Sequence, residues 1–182
     1  MYIVLTIKMT KIKKGTNRNE RKILDALAEN ARQSLIEISE KTGLSRQTVQ
    51  KILLKLEKDH IIWGYQPIVD EQKNGLKDYL VLIKRTPKPL DEKLADKVIS
   101  RKIEQMASKI GVKIVTSFYC HGSYDWITCF MAPDIKDAKK FTEDVKTVYI
   151  DHIADIQLLE TLFFVKKDGI LNPDVNDLKQ FL

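Results

Sequence analysis

Between Ser34 and Lys58 two amphipathic helical periods are separated by only Gly43 and Leu44, and no other stretch of the chain constrains its fold so tightly. Ser34 stands three residues before Glu37, the spacing of a capping box in which hydroxyl and carboxylate satisfy each other's backbone N–H groups. The helix that follows is expected to bury Leu35 and Ile38, with Ile36 beside them, and to stop at Gly43, where a left-handed backbone costs least. Ser45 is a second N-cap, after which Val49, Ile52, Leu53 and Leu56 recur at helical intervals. Upstream, Ile23, Leu24, Leu27 and Ala28 mark a further helix. Three helices with a minimal turn between the last two make a helix-turn-helix, whose second member enters the major groove of DNA. The same spacing also suits an αα-hairpin in any helical protein, so side-chain direction has to separate the two.

Taking Val49 as inward and turning about 100° per residue places Leu53 and Leu56 inward, with Gln47, Lys51, Leu54 and Lys58 outward. Thr48, Gln50 and Lys55 flank that outer face. Glutamine can pair bidentately with an adenine edge and lysine can reach guanine or phosphate, while hydroxyls and a helix N-terminus suit phosphate. Gln47 and Lys51 are thus the expected base contacts. Ser45, Arg46, Thr48, Gln50 and Lys55 complete the expected DNA-binding set. Charge agrees: the net +6 resides wholly in residues 1–65, with 13 Lys and Arg against 7 Asp and Glu, whereas the remainder carries 18 of each. That division suits a small nucleic-acid-binding domain joined to a neutral one.

The stretch from Lys22 to Asp70 resembles the DNA-binding domain and hinge of the leucine-responsive regulatory protein (Lrp/AsnC) family. The likeness rests on I-L-x-x-L in the first helix, on I-x-x-K-x-G-L-S-x-x-T-V through Ile38 to Val49, on Leu56-Glu57-Lys58, and on the Ile61-Ile62-x-Gly64-Tyr65 exit. Ile52 and Leu54 stand where members often carry Arg or Lys. The resemblance implies double-stranded DNA as partner and a winged-helix-like domain.

Beyond it, Ile61 to Val69 is apolar and extended in character, with Pro67 barring helix, and Asn74-Gly75 marks a turn. Then follow a strand at Tyr79–Arg85, a helix from Asp91 to Ile110 spaced by Leu94, Val98, Ile99, Met106 and Ile110, and a hairpin of strands 112–121 and 126–131. A helix at 135–149 and a long strand at 153–166 complete a β-α-β-β-α-β order, the ferredoxin-like split arrangement. The fold class is α+β. Expected boundaries are an extension at 1–16, the helix-turn-helix at 17–65, a hinge at 66–78, the ferredoxin-like domain at 79–168 and a tail at 169–182, amphipathic through Val175, Leu178 and Leu182. Phe118, Cys120, Ile127 and Cys129 should share one sheet face and Tyr119, Trp126 and Phe130 the other. Two helices cover one face, so a homodimer through the other is expected.

Gly122-Ser123-Tyr124-Asp125 resembles the family's G-x-Y-D turn. The resemblance implies assembly of dimers into octamers or similar rings and binding of a small effector, often an amino acid, near this turn, with Gly122, Tyr124 and Asp125 as effector candidates. Physically, such a turn offers N–H groups to a carboxylate and a carboxylate to an amine. The same residues also suit a plain hairpin turn. The family carries polar residues early in the last strand where this chain has Ile156 and Leu158.

Several classes are excluded. No apolar run approaches the ~20 residues that span a bilayer, so no membrane partner is expected. Two cysteines make no disulfide framework, which fits a reducing cytoplasm. Cys120, His121 and Cys129 lack a fourth ligand and a zinc-type spacing, so no metal and no cofactor are expected. His60, His121 and His152 are scattered over different elements, giving no nucleophile-base set and no catalytic residues. An enzyme alternative rests only on architectural likeness to siroheme decarboxylases, whose arginine-rich histidine motif is missing. An architectural DNA-coating protein is the other alternative to a sequence-specific transcriptional regulator.

Overall fold

In the computed structural model, which describes residues 15–89, 91–176 and 179, the first helix begins at Arg18, five residues before Ile23, the first residue of its apolar spacing. Asn17 accepts the N–H groups of Asn19 and Glu20, each at 3.0 Å, and Glu20 Oε2 accepts the Asn17 N–H at 2.8 Å. This reciprocal box opens α1 (Arg18–Glu29). Ser34 and Glu37 form the corresponding box for α2 (Leu35–Thr42), with Ser34 N–H to Glu37 Oε2 at 2.6 Å, and Gly43 ends that helix at φ +72°. Ser45 then caps α3 (Arg46–Lys58). Ile23, Ala26, Ile38, Val49 and Leu56 form the buried centre, and Leu24, Leu27, Leu35, Leu44, Ile52, Leu53 and Ile62 pack around it. Two expectations shift: Ala26 rather than Ala28 faces inward, and Ile36 stays half exposed at 50%. The hinge after α3 is not a strand, because no residue from 61 to 69 pairs in a ladder within the described residues. The extension through residue 14, and Leu178 and Leu182 of the tail, lie outside the described residues.

The chain divides into two units, Met1–Pro67 and Ile68–Leu182. In the second, a 3-10 turn at Glu71–Asn74 ends on Gly75 at φ +77°. It is followed by β1 (Lys77–Arg85), α4 (Glu92–Ile99), α5 (Lys102–Lys109), β2 (Lys113–Tyr119), β3 (Trp126–Ala132), α6 (Ile135–Val148) and β4 (Ile153–Glu160). The four strands lie in the order β2-β3-β1-β4, every pair antiparallel. This is the ferredoxin-like arrangement, with the consecutive strands β2 and β3 forming a hairpin. Val115 is an extra residue in β2, between Ile114 opposite Phe130 and Thr116 opposite Cys129, and Ala154 is an extra residue in β4. One face of the sheet carries Tyr79, Val81, Ile83, Trp126 and Phe130 into a core shared with Ile103, Ala107, Phe141, Val145 and Tyr149. Phe130 stacks on Tyr79 at 5.6 Å and meets Phe141 at 4.7 Å between ring centres. On the other face Leu80 lies opposite Cys129 and Leu159, and Ile127 opposite Leu82 and Phe118. These residues are only partly covered, and Phe118 and Leu159 are 44% and 45% exposed.

Two elements differ from the sequence expectation. The single helix expected over 91–110 is split at Ser100 and Arg101, where Arg101 takes a left-handed φ of +53°. The break resets the helical phase, so Ile103 and Ala107 become the buried pair while Ile99 is 76% exposed. The last long strand stops at Glu160 instead of continuing to Lys166. A small hairpin follows, β5 (Lys166–Lys167) against β6 (Ile170–Leu171), turned by Asp168 and Gly169 at φ +46° and +88°. Two consecutive positive φ values are what a two-residue hairpin turn matching strand twist demands, and Asp-Gly supplies them at low cost.

Candidate nucleic-acid interface

The short Gly43–Leu44 turn presents α3 with its amino end free. Ser39 Oγ–H donates to the Leu44 carbonyl at 2.5 Å and Lys22 Nζ to the Thr42 carbonyl at 3.0 Å, so the turn is tied to both preceding helices. The Ser45 hydroxyl accepts the Thr48 N–H at 3.2 Å and lies 2.8 Å from the Thr48 hydroxyl. Both hydroxyls are therefore engaged in capping. No acidic residue stands in the first turn of α3, leaving the positive end of the helix uncompensated. Arg46, Gln47, Gln50 and Lys51 are exposed, and among the described residues their side chains make no hydrogen bond or ion pair.

Lys55 departs from this group. Its Nζ reaches Glu20 Oε1 at 2.5 Å, spanning from α3 to the first turn of α1. Glu20 is almost fully buried and serves two partners, Lys55 through one oxygen and the Asn17 N–H through the other. The hydrogen bond from Lys55, then that from Asn17, holds the Glu20 carboxyl below its ordinary 4.5, and Glu20 raises Lys55 above 10.5. Lys55 is thus a brace between helices. Sequence reasoning missed Glu20, although Asn17-x-x-Glu20 repeats the spacing of Ser34-x-x-Glu37.

A pH dependence follows with a definite sign. Because the folded Glu20 titrates below the unfolded value, its contribution is complete above 4.5 and is lost as pH falls through the lowered folded value. Glu20→Gln is expected to lower the melting temperature of the first unit by several degrees at neutral pH and to flatten its decline on the acid side. Circular-dichroism melts of both proteins between pH 7 and 3 check this; parallel acid limbs would remove Glu20 from the account.

In the second unit, the turn between β2 and β3 brings Gly122, Tyr124 and Asp125 together. Asp125 Oδ2 accepts the Arg85 N–H at 2.8 Å, where the β1–β4 register shifts, and the Asp125 N–H donates to the Ile83 carbonyl at 2.9 Å. Cys120 closes the turn, its N–H donating to the Asp125 carbonyl at 2.9 Å and its Sγ–H to the Tyr124 carbonyl at 3.3 Å. Asp125 therefore has a structural task. By contrast, the N–H groups of residues 121–124 donate to no acceptor among the described residues. Cys120 and Cys129 are free thiols, and burial pushes the Cys129 thiol up. Among the described residues no group of three His, Cys, Asp or Glu is placed to hold a metal, and no helix is long and apolar enough to cross a membrane.

A capped helix-turn-helix with an exposed, cation-bearing second helix, followed by a ferredoxin-like unit, defines a two-domain DNA-binding protein. Residues 16–62 match the family model described as winged helix-turn-helix DNA-binding. The chain is 25% identical over 152 residues to the proline dehydrogenase transcriptional activator of Rhizobium radiobacter, covering 82% of this chain and 90% of that protein. It is 41% identical over 59 residues to the HTH-type transcriptional regulator LrpA1 of Halobacterium salinarum, 32% of this chain and 42% of that one. Among solved structures, an AsnC family transcriptional regulator from Agrobacterium tumefaciens shares the fold with a TM-score of 0.64 at 22% identity, over 92% of this chain and 100% of that one. A Neisseria meningitidis transcriptional regulator in complex with L-methionine does so with a TM-score of 0.62 at 19% identity, with the same coverage. The chain is thus similar to transcriptional regulators, over residues 16–62 to the winged helix-turn-helix DNA-binding family and over both domains to the fold of AsnC family regulators. Both of these curated relatives are named as transcriptional regulators.

Proposed function

We propose that α3 reads DNA sequence through Gln47 and Lys51, with Gln50 beside them, while Arg46 and the helix N-terminus hold a phosphate. The observation that carries this is the unpartnered, exposed set Arg46, Gln47, Gln50 and Lys51 on one helix whose hydroxyls and Lys55 are already engaged internally. Ser45, Thr48 and Lys55 position that helix; one of the Ser45 and Thr48 hydroxyls donates to the other, so a single O–H of the pair is left to donate to a backbone phosphate. Two copies joined through the half-covered sheet face, where Leu80, Leu82, Ile127 and Leu159 lie, would present two such helices to half-sites about 34–36 Å apart. Assembly of such dimers into an octamer is the further step that the family resemblance implies.

The effector reading uses the β2–β3 turn. Its free N–H groups suit a carboxylate, and the second oxygen of Asp125 suits an amine, so an amino acid fits with Gly122 and Tyr124 beside it. The Neisseria relative solved with L-methionine supports that ligand class. Such an effector shifts the regulator only through different affinities for two of its states. The test is selection from random DNA, with the recovered sites rebound at two salt concentrations and with an amino-acid panel. An approximate inverted repeat, weakening as salt rises, is expected. Salt-sensitive binding without sequence preference would instead identify a DNA-coating protein, and an unchanged affinity across the panel would remove the effector.

A further inference from the structure

A cavity of about 390 Å³ opens at the end of the sheet where β1 begins, between the segment Ile68–Lys73 and the carboxy-terminal hairpin. That volume lies in the range of small-molecule sites. Its apolar wall includes Ile68, Val69, Phe164, Ile170 and Leu171, and Leu162 stands at its margin, 66% exposed. The turn Gly122 to Asp125 adjoins the other end of β1, near Arg85, so the two sites are about 25 Å apart at the rise of a strand.

The polar groups of the cavity carry unequal charge. Asp78 is closed off by Lys167 at 3.2 Å, both largely buried, with the Lys167 ammonium 4.6 Å above the Phe164 ring. Glu71 pairs with Lys113 at 3.7 Å. Asp70 and Asp174 share one cation: Lys73 Nζ lies 2.8 Å from Asp174 Oδ2 and 3.5 Å from Asp70 Oδ2. Two carboxylates facing a single ammonium leave one negative charge unmet beside an apolar wall. An anionic ligand would have to break one of these pairs, whereas a cationic one completes the balance.

We infer that this cavity binds an organic monocation with an apolar body, such as an arylalkylamine, its ammonium between Asp70 and Asp174 and its body against Phe164, Ile170 and Leu171. Ile68 to Lys73 is the first segment after the chain leaves the DNA-binding unit. A ligand gripping Asp70 therefore acts on the connecting segment itself, a route to regulation separate from the β2–β3 turn.

The test titrates the full chain with 2-phenylethylamine and, in parallel, with 3-phenylpropanoate, which has a similar body and the opposite charge. Calorimetry follows affinity, and methyl NMR follows Ile68, Leu162 and Leu171. The amine is expected to bind, to move those three methyl signals, and to weaken at least about tenfold in Asp70→Asn/Asp174→Asn, equivalent to 1.4 kcal/mol. Both positions are exposed, so the variant should melt like the parent when unliganded. No amine binding at millimolar concentration overturns the proposal. So does equal binding of the propanoate, an unchanged affinity in the double variant, or shifts confined to other methyl groups. None of these results bears on the DNA contacts or on amino-acid binding at the turn.

Discussion

Phe141→Ala is expected to destabilise the second unit by about 3–5 kcal/mol, the usual cost of emptying a fully buried phenylalanine site. Phe141 is 1% exposed and is the side chain through which α6 meets Phe130, itself stacked on Tyr79 of β1. Its removal opens a gap at the junction of three aromatic rings, and the neighbouring rings are held by strand register and cannot collapse into it. Phe141→Leu should lose less than half as much. Trp126 lies in the same core and is 8% exposed, whereas Trp63 belongs to the first unit and is 94% exposed. In a Trp63→Phe background, fluorescence therefore follows the second unit alone during urea unfolding, avoiding the assumption that both units melt together. A shift below about 1 kcal/mol would mean that α6 does not seat on the sheet through Phe141.

Gln47→Ala and Lys51→Ala together should weaken binding to the selected DNA site by roughly 10²- to 10⁴-fold, since each good base contact contributes about 1–3 kcal/mol of discrimination. The two changes should differ in kind. Gln47→Ala relaxes preference at one base pair with little effect on the salt dependence, because a neutral side chain releases no counterion. Lys51→Ala lowers affinity and, to the extent that it touches phosphate, reduces the salt slope by about one per site. Lys55→Ala provides the contrast: it should lower the melting temperature by freeing Glu20, while preference among bound sequences stays the same. Retained affinity and preference in the double variant would show that another face of α3 meets the DNA.

The helix-turn-helix was legible because its determinants are local. Ser34 with Glu37, Gly43 and Ser45 each act within four residues of themselves, and the outward direction of Gln47 and Lys51 follows from helical rotation alone. The brace of Lys55 on Glu20 was hidden because the partners are 35 residues apart and meet only when α1 and α3 pack. In the second unit the order of strands and helices followed from periodicity, but the break at Ser100 and Arg101 did not. An arginine with positive φ leaves no mark in a segment whose apolar spacing reads as continuous helix. The hairpin at Asp168-Gly169 is different, since that dipeptide is a strong turn signal and lies just beyond the end expected for the last strand at 166. At the β2–β3 turn, sequence located Gly122 and Asp125, but the Arg85 N–H that Asp125 accepts is 40 residues away and reaches it only when the strands pair.

The extra residue Val115 in β2 has a bearing on solubility. The outermost strand of an open sheet offers a row of unmatched peptide groups on which a second chain could grow a fibril-like ladder. β2 is such a strand, exposed along nearly its whole length, with Tyr119, Phe118 and Val115 all accessible. The kink at Val115 breaks the regular two-residue repeat of those groups and twists the margin, and Lys113 places a charge just before it. Growth in the plane of the sheet is thereby obstructed at this margin.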